Sequence, residues 1–143
     1  MAIDIAQPGD VVQVAEGIYT AKHTHALPPG TPIFPNPAIV NVFMRDQVHL
    51  EGAGAGLSIL DAGGEDRVVL FNQVGPDTRF QGFTVTGGNL DRAGDGGGML
   101  VVFSSPRITQ NHIVGNKAFF GGGIEVLYYS SPLIEDNLIE KNT

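Results

Sequence analysis

The chain has 143 residues, of which 42% are hydrophobic and only 16% charged, and its formal net charge is -7. Its eight basic residues are scattered singly, which excludes the clustered Lys and Arg needed to bind nucleic acid or anionic membranes. The lack of cysteine excludes disulfides and thiolate metal sites, and the twenty glycines and nine prolines indicate many tight turns.

The first elements form a short lead-in to a strand. Residues 2–6 are a brief apolar-polar stretch, a Pro-Gly-Asp turn follows, and 11–14 alternate as a strand. No charged and then apolar leader precedes this strand, and no apolar run reaches about 18 residues. The sequence therefore predicts neither a signal peptide nor a membrane-spanning segment in this chain.

Residues 21–37 are predicted to be a loop insertion, because prolines crowd their second half. They contain His23 and His25, a His-x-His pair that on a strand would face one side and hold a metal. No third ligand is evident, and the prolines favour a solvent-exposed loop instead.

The middle of the chain contains weaker copies of a unit that is clearest near the end. VHLEGAGAG at 48–56 and FQGFTVTGG at 80–88 fit parts of this unit. Residues 89–95, NLDRAGD, interrupt the pattern and are predicted to be a second loop insertion.

The last third consists of two copies of one repeat. GGGMLVVFSSPRITQNHIVGN at 96–116 is followed by GGGIEVLYYSSPLIEDNLIEKN at 121–142, offset by 25 residues at the glycines and by 26 from the serines onward. Each copy reads as three short strands, and alternation places Ile108, Ile113, Ile134 and Ile139 inward. Because one coil cannot bury its apolar side alone, such coils must stack. The sequence predicts an all-β, right-handed parallel β-helix of about five coils with three strands each.

Asn111 and Asn137 occupy the same bend in successive coils. Asparagine tolerates left-handed backbone angles, and its amide can bond to the copy above or below. We therefore predict that the two residues form a structural ladder.

The opening, LEGAG at 50–54, FQGFTVTGG and the two terminal repeats together resemble the pectin-lyase-like right-handed β-helix superfamily, in particular its generic right-handed β-helix repeat regions. The resemblance covers nearly the whole chain, as a single domain over 1–143, but it indicates a fold and not an activity. It implies an extracellular, periplasmic or cell-surface location. Members of this superfamily usually begin with a longer capping helix, so we expect the chain to be a truncated portion of a longer protein.

The same resemblance places a substrate groove along the first strand of each coil. Asp91, Arg92 and Asp95 in the second insertion are then the candidates for catalysis, with Asp91 and Asp95 as candidate calcium ligands. The calcium set would also draw on Asp61, Glu65 and Asp66; Arg67 and Arg107 are further candidate lyase bases, and Glu125 is a further partner for a hydrolase carboxylate pair. Turn-forming and solvated loop charges explain the same residues without chemistry.

The outward positions of the first strands argue against a groove for acidic sugars, since they are largely apolar. They are Leu100, Val102, Glu125, Leu127 and Tyr129, with Met99, Val101, Phe103, Ile124, Val126 and Tyr128 predicted to face inward. An apolar stripe of this kind indicates a contact surface. The sequence thus favours a non-catalytic scaffold or self-association module that needs no cofactor, bound to its own copies or to the rest of a longer chain. The alternative is a module that binds or cleaves polysaccharide with the help of calcium.

Overall fold

The computed structural model describes residues 2–143, which form a β-solenoid of about four turns. Its one helix, α1, covers Ala2–Ile5. The strands are β1 (Val11–Val14), β2 (Gly17–Tyr19), β3 (His23–His25), β4 (Ala38–Phe43), β5 (His49–Gly52), β6 (Ser58–Asp61), β7 (Arg67–Asn72), β8 (Arg79–Gln81), β9 (Phe83–Thr86), β10 (Asn89–Asp95), β11 (Met99–Val102), β12 (Arg107–Thr109), β13 (His112–Val114), β14 (Lys117–Phe120), β15 (Ile124–Leu127), β16 (Leu133–Glu135) and β17 (Leu138–Glu140). No helix in residues 2–143 is long and apolar enough to cross a membrane.

Three five-stranded sheets form the walls of the solenoid, and each coil contributes one strand to each sheet. Sheet 1 has the order β3-β4-β7-β11-β15, sheet 2 the order β1-β5-β8-β12-β16, and sheet 3 the order β2-β6-β9-β13-β17. All neighbours are parallel except β3 and β4. The prediction of an all-β solenoid with three strands per coil is confirmed. Sheets 2 and 3 each have five parallel strands and sheet 1 has four, which makes about four turns, so the predicted count of about five coils is not confirmed.

The register of the strands stacks one apolar side chain on the next. Ile108 lies between Phe80 and Ile134, and Ile113 lies between Val85 and Ile139. Ile108 and Ile113 are fully buried in the central core, as predicted. Because side chains alternate along a strand, this stacking fixes which residues of sheets 2 and 3 face solvent.

Helix α1 closes the end of the solenoid at which the chain begins. Ile3 is 1% exposed and Ala6 5% exposed, and both belong to the central core. Val12, Val14 and Tyr19 from the first coil pack against the same core while remaining partly exposed. A four-residue helix therefore performs the capping expected of a longer one.

The segment 21–37 differs from the predicted loop insertion. Its first part is strand β3, which pairs antiparallel with β4. Further along, Ile33 is buried in a second apolar cluster with Leu70, Leu100 and Val102. The segment is therefore a cover for the outer surface of sheet 1, since apolar side chains on both sides exclude water.

Residues 89–95 likewise form a strand and not a loop. Strand β10 pairs parallel with β14 of the next coil, joining Asn89 to Lys117 and Asp95 to Phe120, with a change of register after Leu90. The same extension thus occurs in two successive coils, which satisfies backbone groups that a lone insertion would leave to water.

Candidate functional site

The predicted asparagine ladder is present at the bend between sheets 2 and 3. The Asn111 side-chain oxygen accepts a hydrogen bond from the Phe83 N–H (3.0 Å), and the Asn137 oxygen accepts one from the Asn111 N–H (2.9 Å). The Asn111 amide group donates to the carbonyl oxygens of Phe80 and Thr109 and to the Asn137 oxygen. Each asparagine therefore ties two or three coils together where the backbone turns.

A second asparagine ladder lies at the bend after sheet 3. Asn116 accepts from the Gly88 N–H at 3.0 Å, and Asn142 accepts from the Asn116 N–H at 3.0 Å. Ser104 and Ser130 repeat this pattern at the third bend, where the Ser130 hydroxyl accepts from the Ser104 N–H at 3.1 Å. Both pairs have the 26-residue spacing of Asn111 and Asn137, so the repeat carried the signal for these ladders, which sequence reasoning did not use.

Two of the candidate catalytic residues of strand β10, Asp91 and Arg92, line one cleft together with Glu65 and Asp66, whereas Asp95 is not among the residues that line it. The carboxylate of Asp91 forms an ion pair with Lys117 (2.7 Å), and hydrogen bonding to Lys117 holds its pKa below the usual range. Asp95 lies beyond the change of register, and its carbonyl oxygen accepts hydrogen bonds from Arg67. Arg92 is exposed and makes no hydrogen bond or ion pair within residues 2–143.

The other acidic residues proposed as calcium ligands form hydrogen bonds or ion pairs within the protein. Glu65 and Asp66 both bind Lys22, at 3.2 and 3.0 Å, and Asp61 accepts from the Gly63 N–H. In the part of the chain that the structure describes, no three acidic or histidine side chains lie close enough to hold a metal ion. A calcium site with Asp91 and Asp95 therefore stays a prediction.

His23 and His25 lie on strand β3 and not in a solvated loop. The His25 ring stacks on Phe43 with ring centroids 4.5 Å apart, and burial lowers its pKa. The Nε2 atom of His23 is buried without a hydrogen-bond partner among residues 2–143. His25 thus packs against Phe43 within sheet 1, and metal binding by the pair stays a prediction.

Arg67, a candidate lyase base, is a buried structural residue. It is 1% exposed, and its guanidinium donates to the carbonyl oxygens of Asp95 (3.1 and 2.6 Å), Gly96 (3.0 Å) and Phe34 (3.1 Å). Burial lowers its pKa to about 10, so the group stays charged at neutral pH. Arg67 therefore fastens both inserted segments to the solenoid and cannot reach a substrate.

The predicted apolar stripe is only partly accessible. Leu100 and Val102 point away from the central core, as predicted, but Ile33 and its neighbours in the second cluster bury them. In the last coil Glu125 and Leu127 are half-buried, and Tyr129 is 96% exposed. The exposed part of the predicted stripe is therefore confined to the last coil.

The prediction that Phe103 and Tyr128 face inward is wrong. Both have positive φ, 47° in each case, and Tyr129 follows with φ 52°. These backbone angles end the strand alternation, and the rings turn outward, where Phe103 stacks on Tyr128 with centroids 5.6 Å apart. Bulky residues seldom adopt such angles, so the extra residue of the last repeat falls in a strained, exposed corner.

The last coil leaves one end of the solenoid open within residues 2–143. Strands β15, β16 and β17, which we call the terminal edge, each pair with a strand on one side only. Their inward residues Ile134 and Ile139 are 37% and 48% exposed, although they continue the stacks that are fully buried at Ile108 and Ile113. The edge thus combines unpaired backbone groups with exposed core side chains, the two features that favour addition of further strands.

Comparisons with known proteins do not extend this assignment to a family. No family model, no curated protein and no solved structure matches the chain. The established result is the fold itself, a β-solenoid built on three side-chain ladders.

Proposed function

We propose that this protein is a non-catalytic β-solenoid module that self-associates through the terminal edge. The observation that carries the proposal is the contrast between Ile108 and Ile113, both 0% exposed, and their neighbours Ile134 and Ile139, which are 37% and 48% exposed. Burying apolar surface gains roughly 25 cal/mol per Å². A partner coil on the terminal edge would bury the last members of two stacks at once.

Hydrogen bonding supports the same surface. Asn137 and Asn142 each accept from and donate to the coil before them, and within residues 2–143 no later coil accepts from their backbone N–H groups as they accept from Asn111 and Asn116. The three edge strands present free N–H and C=O groups in the same plane. A second β-structure would satisfy these groups by strand pairing.

The symmetry of the complex follows from the difference between the two ends. Helix α1 and its buried Ile3 close one end, so head-to-tail stacking would bring the terminal edge against a cap. Contact of two terminal edges is self-complementary and closes as a two-fold dimer, with no further edge to extend a fibre. We propose this dimer, within a right-handed solenoid of the pectin-lyase-like type that acts at a cell surface.

The decisive experiment is the mass in solution by light scattering over a range of concentrations. We expect a dimer for the unchanged protein and a monomer for the double variant Ile134→Lys with Ile139→Lys, because two ammonium groups cannot be buried unpaired in an interface. Ile18→Lys is the matched control, since Ile18 is 66% exposed on β2 at the capped end. A monomer at all concentrations, or a dimer that both lysines leave intact, contradicts the proposal.

A second candidate function is carbohydrate binding at the aromatic corner. Tyr129 is 96% exposed, and its ring is nearly parallel to that of Phe103, with centroids 6.4 Å apart. Exposed, stacked rings of this kind offer flat apolar faces beside polar hydroxyl groups. Binding to a panel of neutral polysaccharides that Tyr129→Ala abolishes would favour this candidate, and no binding across the panel would eliminate it.

A further inference from the structure

The outer surface of sheet 2 carries a column of basic side chains. His49 on β5, Arg79 on β8 and Arg107 on β12 occupy the same register position on three successive strands. Each precedes an inward core residue, so all three lie on the outer surface. Adjacent strands are about 4.8 Å apart, which places the two arginines one step from each other.

These arginines lack the partners that other cations of the chain have. Lys22 binds Glu65 and Asp66, and Lys117 binds Asp91. The guanidinium groups of Arg79 and Arg107 make no hydrogen bond or ion pair with any other residue in 2–143. Like charges directly opposite each other destabilise a sheet, so this pair is an unneutralised positive site on a protein of net charge -7.

The column forms one wall of a cleft. His49, Pro76, Asp77, Arg79 and Arg107 line it together. The His49 ring nitrogen Nε2 lies 3.1 Å from the Asp77 carbonyl oxygen, which holds the ring at the edge of the cleft. Asp77 also lines the cleft, and its carboxylate forms no ion pair with either arginine among residues 2–143.

We propose that this cleft binds a phosphate or sulfate group between Arg79 and Arg107. A guanidinium presents a planar fork of donors that matches such oxyanions, and two forks one strand apart can share one tetrahedral group. A dianion neutralises both arginines, whereas a single carboxylate neutralises one. The site is independent of the terminal edge and of the aromatic corner.

The test is an NMR titration that follows the arginine Nε–H signals with inorganic phosphate, inorganic sulfate and O-phospho-L-serine. We expect saturable shifts at Arg79 and Arg107, and about tenfold or greater loss of affinity in Arg79→Gln and in Arg107→Gln, since bonds to charged groups are among the stronger ones. Asp77→Asn should bind several-fold more tightly, because it removes a repelling charge from the cleft. Because Asp77→Asn should change the affinity in the opposite direction to the two arginine variants, the comparison separates anion recognition from damage to the fold.

Arg92→Gln is the matched control, because it removes one exposed, unpaired arginine from strand β10 and leaves the cleft intact. Its affinity should equal that of the unchanged protein. Binding of phosphoserine as well as the inorganic ions indicates that the cleft accepts an ester, and binding of the ions alone indicates a site for free anion. No saturable shift with any of the three, or equal losses in Arg92→Gln and Arg79→Gln, overturns the proposal.

Discussion

Replacing Arg67 with methionine should destabilise the fold more than the same replacement of any other arginine in the chain. Methionine keeps most of the length and apolar volume of the side chain but removes every donor. The carbonyl oxygens of Phe34, Asp95 and Gly96 then lose the hydrogen bonds that measure 2.6–3.1 Å in the native protein. The substitution thus isolates the value of the buried guanidinium.

The magnitude follows from two opposing effects. A buried acceptor left without a partner costs about 1–3 kcal/mol, and of the three carbonyls only that of Gly96 is in a fully buried hydrogen bond, so the loss sums to roughly 3–6 kcal/mol. Removing a charge that is 1% exposed recovers part of this, since burying an ion costs several kcal/mol. We expect Arg67→Met to lower the free energy of unfolding by about 2–4 kcal/mol.

Urea unfolding followed by far-ultraviolet circular dichroism gives this free energy by linear extrapolation, and the chain has no tryptophan to follow instead. Arg67→Lys retains the charge but not the planar fork, so it should also be destabilising, while exposed Arg92→Met should change the free energy by less than about 0.5 kcal/mol. If Arg67→Met or Arg67→Lys had the same free energy of unfolding as the unchanged protein, the stabilising role of the Arg67 hydrogen bonds would be refuted.

Two further predictions concern stability. Asn111→Ala should lower the free energy of unfolding by about 2–4 kcal/mol in the same urea assay, because it strands the buried Phe83 N–H and Phe80 carbonyl, whereas half-exposed Asn137→Ala should cost about 1 kcal/mol, since water can replace it. Equal costs would mean that burial does not set the strength of the ladder. Glu125→Gln should stabilise the protein at pH 7, because burial and the charge of Asp95 raise the Glu125 pKa. The folded state therefore binds the Glu125 carboxyl proton more tightly than the unfolded state does. The unchanged protein loses stability as pH rises above the usual range for glutamate. In thermal melts, the stability gained by Glu125→Gln should vanish near pH 3.5.

The repeat made the solenoid predictable because its signals are local and periodic. The alternation around Ile108 and Ile113, and the equal spacing of Asn111 and Asn137, state directly which residues stack. Nothing comparable marks Arg67, whose acceptors lie 28–33 residues away and are backbone atoms that any sequence supplies. Its burial depends on how two separate segments meet, which a repeat pattern does not contain.

The cover over sheet 1 escaped prediction for a related reason. Leu100 and Val102 were correctly placed on the outer surface, but the side chain that buries them, Ile33, stands in a proline-rich segment with no period of its own. Alternation also failed at Phe103 and Tyr128, because their positive φ angles end the strand before the aromatic rings. Local patterns thus predict the direction of a side chain within a strand, but they do not predict which other segment packs against it.

Apolar stacking and polar ladders have different roles in this solenoid, and the two roles bear differently on which partner the terminal edge would select. The isoleucine stacks supply stability without specifying a partner, since any apolar surface would bury Ile134 or Ile139. The ladder at Asn137 requires an acceptor for the Asn137 N–H, at the position that the Asn137 oxygen occupies for the Asn111 N–H, and only a strand in the correct register provides it. An edge that combines both should therefore select a matching β-structure over nonspecific hydrophobic contact. A second copy of the same edge offers equal strands at equal heights, and two-fold closure then consumes the edge that would otherwise seed aggregation.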